Sequence, residues 1–273
     1  MLAMALGMLM IVAVVTAGFA LAGTDLTSTT ALLWTQGVSQ VLMFIVPVLL
    51  MTAIYYKGCA REYYRLDFSG RKWLLGLVGV AALLLIIPFN EFLTEWNDSW
   101  NLGVLGDRLR SLQGQTEGVV EQILQADTVG GLLANLLVVA LIPAVSEELF
   151  FRSGFQNLLQ RWFRNPHAAI WVTAVIFSLG HGEVFSFMPR FVLGALLGYL
   201  YVYSGSLLPN MLVHFTNNAI VVVLYWLVAR GVIGIDPEAP IDFGWPLTVA
   251  CTVAAVGVMW VTFFGKKLKN SSI

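Results

Sequence analysis

The chain has 273 residues, of which 58% are hydrophobic and 11% charged, and its formal net charge is −1. An average soluble domain carries roughly 25% charged residues, so the composition excludes a globule clothed by its own polar side chains and leaves lipid as the covering solvent. The near-neutral balance gives no electrostatic footprint for nucleic acid, and Cys59 and Cys251, far apart in sequence, make neither a disulfide framework nor a thiolate metal site.

Eight apolar runs read as spans: residues 2–22, 38–56 and 73–89, a fourth that starts near 129 and continues past 150, then 168–181, 191–203, 207–228 and 246–264. The first lacks a basic n-region and stays apolar to Ala22, so it reads as a span rather than a cleaved signal. Between the second and third, residues 58–68 suggest an interfacial helix with Tyr63 and Tyr64 among headgroups. Between the third and fourth, residues 97–128 hold Val104, Leu105, Leu109 and Leu112, then Val119, Val120, Ile123 and Leu124, near helical spacing. They read as interfacial helices anchored by Trp96 and Trp100, or as a plain surface loop. The fifth and sixth runs fall short of the roughly 20 residues a helix needs to cross, which predicts tilted, broken or buried segments. The expected fold is therefore all-α: a single integral membrane domain over 1–273, a polytopic bundle of about eight spans with interfacial helices.

Charge sets the orientation. Lys57, Arg61, Arg65, Arg71 and Lys72 outnumber Glu62 and Asp67 in one connector, Arg161 and Arg164 follow the fourth span, and Lys266, Lys267 and Lys269 follow the eighth. The opposite connectors are acidic, with Glu91, Glu95, Asp98, Asp107, Glu117, Glu121 and Asp127 in one and Asp236, Glu238 and Asp242 in the other. The positive-inside rule puts the basic connectors, and with an even span count both termini, in the cytoplasm.

Charged groups inside spans are costly and are functional candidates by default. Glu147, Glu148 and Arg152 interrupt the fourth span. On an α-helix Glu148 and Arg152 share a face and can pair, whereas Glu147 points about 100° away. A structural ion pair explains these three residues as well as chemistry does. His181 and His214, two of only three histidines, shift the balance, with Asn218 one turn beyond His214 and Phe177 one turn before His181. A carboxylate and an imidazole can activate water, and a second imidazole with an amide donor can hold an oxyanion. Alternatively, imidazoles and a carboxylate hold a divalent ion such as Zn2+, with Glu147, His181 and His214 as its ligands. No H-E-x-x-H and no G-x-S-x-G occurs, and Ser146 is a rival nucleophile without a visible activating base.

Three motifs in order, Glu147-Glu148-x-x-x-Arg152, Phe177-x-x-x-His181 and His214-x-x-x-Asn218, resemble those of the CAAX-protease and bacteriocin-processing family of intramembrane proteases, the family of the Ras-converting CAAX endopeptidase. The resemblance is close over 132–225 and marks 129–228 as the catalytic core. It implies Glu147 as the base that activates water with help from His181, Glu148 and Arg152 as orienting groups, and His214 and Asn218 as the oxyanion hole. It implies peptide or membrane-protein substrates, prenylated ones included, and leaves open whether a metal takes part. A catalytically silent scaffold or immunity protein and a transporter or channel are the rival functions. One expectation conflicts with this topology: at roughly 1.5 Å per residue His181 lies about 20 Å along its span, away from the cytoplasmic side that holds Glu147 and His214. Gly154 and Pro166 are the breakers that would resolve it, Pro143 is expected to bend the fourth span, and Gly194 and Gly198 mark a close-packing face. His167 beside Pro166 reads as an ordinary connector residue.

Overall fold

The computed structural model describes residues 2–55, 63–67, 70–237 and 239–263, and no strand occurs among them. In chain order the α-helices are α1 (Leu2–Leu21), α2 (Thr29–Gln40), α3 (Val46–Tyr55), α4 (Arg71–Asp98), α5 (Gly103–Leu124), α6 (Val129–Asn135), α7 (Ile142–Glu148), α8 (Asn157–Phe163), α9 (Pro166–Gly180), α10 (Phe187–Ser204), α11 (Leu208–Ala229) and α12 (Trp245–Phe263). Wider π-helical turns at Val41–Ile45, Leu136–Leu141 and Leu149–Gln156 join α2 to α3, α6 to α7 and α7 to α8. The α2–α3 and α6–α8 runs are thus continuous helices.

Six helices are long and apolar enough to cross a membrane: Thr29–Ile54, Arg71–Asp98, Val129–Phe163, Val184–Ser204, Leu208–Ala229 and Trp245–Thr262. The two other expected spans correspond to α1 and to α9, whose 15 residues rise about 22 Å, short of a hydrocarbon core of about 30 Å. The chain is a polytopic helical membrane protein with six such helices among its described residues.

Polar signals fix several helix ends. Ser28 accepts from the Ala31 amide and caps a second span that starts at Thr29, well ahead of the residue 38 that hydropathy alone suggests. Gly154 was expected to break the fourth span but lies inside the π-turn Leu149–Gln156, so the helix runs on to Phe163. The break comes at Arg164, in a left-handed conformation, and Asn165, whose side chain accepts from the amides of His167 and Ala168 with Pro166 in the first turn of α9. The 97–128 connector contains the 22-residue α5. The expected helix at 58–68 falls mostly outside the described residues.

The chain forms two compact units. The first comprises residues 1–63, 114–150 and 214–237. In it Leu33, Ile123 and Val138 form one buried cluster, and Leu124, Ala140 and Val222 another. Trp226 donates its indole N–H to the Thr128 carbonyl at 3.2 Å, tying the last turn of α11 to the start of α6.

The second unit comprises residues 64–113, 151–213 and 238–273. Its core joins Leu75, Ala82 and Leu83 of α4 to Leu193, Leu196, Leu197 and Leu200 of α10 and Val213 of α11. Small residues let these backbones approach. A Cβ on Gly194 would lie 3.1 Å from Ala174 Cα, and one on Gly198 only 2.8 Å from Ile170 Cγ2. The glycine face expected from the sequence is thus spent on α9–α10 packing inside the unit.

Candidate active site

The two glutamates sit on α7, a helix of seven residues between two π-turns. Proline lacks an amide hydrogen and clashes with the carbonyl one turn earlier. Pro143 is tolerated because it follows a π-turn, where the Ile142 amide already bonds five residues back to the Leu137 carbonyl. A widened turn therefore ends just before Pro143, about one helical turn ahead of the carboxylates.

Within the first unit, Glu147 is 5% and Glu148 0% exposed, and His214, near the start of α11, is 3% exposed. His214 Nδ1 lies 3.0 Å from Glu148 Oε1. Since a carboxylate accepts, Nδ1 carries the hydrogen and Nε2 is directed to the other carboxylate, with Glu147 Oε2 3.9 Å away. That gap exceeds a direct hydrogen bond but is within charge–charge reach. The second oxygen of Glu147, Oε1, accepts from Gln40 Nε2 at 3.2 Å. Ser146, fully buried, gives its hydroxyl to Gln40 Oε1 or the Pro143 carbonyl, each at 3.3 Å. Neither acceptor is a base, so these bonds do not activate Ser146 as a nucleophile. Asn218, one turn beyond His214, is half-buried, and its side-chain oxygen accepts from Asn217 Nδ2 at 3.1 Å. That bond engages the amide oxygen and turns the N–H donors of Asn218 to the opposite side.

Within the second unit, Phe177 organises the remaining motif residues. The buried Arg152 guanidinium lies 5.2 Å from the centre of its ring, Phe151 meets it edge-on at 5.2 Å, and the His181 ring packs against it at 5.0 Å. His181 caps α9. Its own amide bonds back only three residues, to the Ser178 carbonyl, and its Nδ1 lies 2.8 Å from the Phe177 carbonyl. A carbonyl can only accept, so the neutral ring carries its hydrogen on Nδ1 and its lone pair on Nε2. The following loop is held just as firmly. Asn97, fully buried, donates to the Val184 carbonyl at 3.0 Å and accepts from the Met188 amide at 2.7 Å, and Gln113 brackets Phe185 and Ser186.

The structure thus brings Glu147, Glu148 and His214 together, with Asn218 one turn on, in the first unit. Arg152 and His181 share the ring of Phe177 in the second. Sequence reading missed Gln40, although an amide at the edge of an apolar run is the kind of residue that lipid should exclude. It also missed that Glu148 meets His214, 66 residues away. Among the described residues no group of three or more His, Cys, Asp or Glu side chains could hold a metal ion.

Residues 129–220 match the family model described as Rce1-like, type II CAAX prenyl endopeptidase. All the motif residues above lie in that central region. No curated protein and no solved structure matches the chain.

Proposed function

We propose that the chain is an intramembrane endopeptidase that hydrolyses peptide bonds of membrane-associated or prenylated, CAAX-type, proteins or peptides. The observation that carries this reading is the buried Glu147–Glu148–His214 cluster inside the segment that matches a prenyl endopeptidase family. Three titratable groups buried together in an apolar helix bundle are expensive, and chemistry is a reason to keep them.

In this mechanism Glu147 takes a proton from water as the water oxygen attacks the scissile carbonyl carbon. His214, its Nδ1–H held by Glu148, offers Nε2–H to the developing oxyanion when the ring is protonated, and the Asn218 amide is the second donor. Collapse of the intermediate breaks the C–N bond, and the proton on Glu147 passes to the leaving amine. The family resemblance adds His181 as an assisting base and Arg152 as an orienting cation. The basic connectors, including residues 57–72, and both termini are assigned to the cytoplasm.

The test is cleavage of a quenched peptide library, farnesylated and unmodified, by the purified protein in nanodiscs. Glu147→Ala is expected to abolish turnover, and His214→Ala or Asn218→Ala to lower it by roughly 10²–10³-fold, as loss of an oxyanion donor does. Arg152→Ala should lower folded yield as well as rate. Chelation followed by Zn2+ addition measures whether a divalent ion takes part: indifference fits the glutamate–water route, and loss with recovery requires a metal-bound nucleophile. Wild-type turnover in Glu147→Ala would sink the proposal.

A further inference from the structure

We infer that Gln40, a residue outside the matched region and outside all three motifs, is a positioning residue for Glu147. The inference rests on the endopeptidase reading for its kinetic consequence, though not for the contact itself. Gln40 ends α2, and Leu33, Gly37, Gln40 and Phe44 recur at helical intervals along one side of the α2 run. Leu33 belongs to the buried cluster with Val138. Gly37 is a close approach, where a Cβ would lie 3.1 Å from Val138 Cγ1 and 3.7 Å from Ile142 Cδ1. Phe44 meets Phe150 edge-on at 5.3 Å. These three neighbours press the α2 run against the helix that carries the glutamates, and between them stands one amide.

An amide in such an apolar stripe is unfavourable unless its hydrogen-bonding groups are satisfied. Both ends of this one are used. Nε2 donates to Glu147 Oε1 at 3.2 Å, and Oε1 accepts from Ser146 Oγ at 3.3 Å. The serine hydroxyl can donate to the amide oxygen and the carboxylate can only accept, so the network fixes which way the amide faces. With one oxygen of Glu147 held, rotation of the carboxylate is restricted and the other oxygen, Oε2, stays on the His214 side, 3.9 Å from Nε2. Gln40 thus selects the oxygen that meets water, and Ser146 acts one step further back, through Gln40.

The experiment compares Gln40→Leu, Ser146→Ala and the double variant with wild type, as full chains in nanodiscs, on a farnesylated peptide. kcat and KM are measured separately, together with the thermal midpoint. Gln40→Leu is expected to lower kcat by roughly 10–100-fold, the scale of a misplaced reacting group, with KM and midpoint little changed. Ser146→Ala should lower kcat about fivefold, the scale of one neutral hydrogen bond. The double variant should match Gln40→Leu alone, because the serine has nothing left to orient. An isotope-edited infrared spectrum, taken as wild type minus Glu147→Gln, reads the same contact without turnover: the Glu147 carboxyl band should move in Gln40→Leu. Unchanged kcat in Gln40→Leu, fully additive losses, or an unmoved band would each overturn the inference. A moved band in a protein that cleaves no peptide would keep the contact and reject the endopeptidase reading instead.

Discussion

His181 and His214 are each fixed by a hydrogen bond at Nδ1, but the partner comes from opposite ends of the structural hierarchy. His181, exposed at the end of α9, bonds the carbonyl of Phe177 in its own last turn and rests on that residue's ring. His214, almost wholly buried, is held by Glu148 from a different helix. The first arrangement forms as soon as the helix does. The second exists only after α7 and α11 have packed. A local clamp tolerates damage elsewhere in the fold, whereas a tertiary clamp ties the state of the ring to the packing around it.

The largest effect that tests this contrast is expected from Glu148→Ala. Loss of a carboxylate that orients a histidine costs about 10⁴-fold in kcat in a serine-protease triad, and a fall of that order is expected here, with a lower thermal midpoint because His214 loses a buried bond worth ~1–3 kcal/mol. A rate near wild type would place His214 under some other control. Phe177→Leu is the matching change at His181. The carbonyl that holds Nδ1 remains and the aromatic contact is lost, a cost of ~0.5–1.5 kcal/mol, so kcat should fall less than about tenfold. A drop as deep as that of Glu148→Ala would mean the ring, not the carbonyl, is what holds His181.

The next test concerns scaffold rather than chemistry. Gly198→Ala adds a Cβ 2.8 Å from Ile170 Cγ2, and overpacking of this kind costs ~1–3 kcal/mol. Gly130→Ala adds one with nothing within 4 Å and should leave the midpoint unchanged or slightly raised. Equal midpoints in the two variants would show that the α9–α10 approach relaxes without cost. The smallest effect lies outside the spans. The Thr27 amide and hydroxyl donate to the Asp25 carboxylate and hold its pKa below the ordinary 3.8. A lowered folded-state value stabilises above the unfolded value and is lost as pH falls through the folded one. The midpoint difference between wild type and Asp25→Asn should therefore be slight at neutral pH and vanish below the ordinary aspartate range.

What the sequence made legible follows the same division. The pairing of Phe177 with His181 is an i,i+4 relation, and helix geometry alone predicts that the two side chains touch. The helix within residues 97–128 and most spans follow from hydropathy, and the glycine face of α10 from its spacing. The meeting of Glu148 with His214, and of Gln40 with Glu147 across 107 residues, depends on which helices become neighbours, and no local pattern encodes that. The reach of the fourth span to Phe163 was hidden for a different reason. Gly154 carries the same letter in a π-turn as in a break, and the hydrogen-bonding register that decides between them is absent from the sequence.

The π-turn at Leu136–Leu141 also acts as a buffer of length for the helix that carries the two glutamates. Each α-helical residue advances the side-chain direction by about 100°. A π-turn takes one residue more than an α-turn to complete the same rotation, so Leu136–Leu141 absorbs an extra residue while everything beyond it keeps its facing. Removing one residue from that turn would let the backbone relax to a regular α register with the carboxylates still turned toward Gln40 and His214. Removing one from the regular helix between the turn and Glu147 would instead swing both carboxylates by about 100° unless the π-turn relaxed to take up the change.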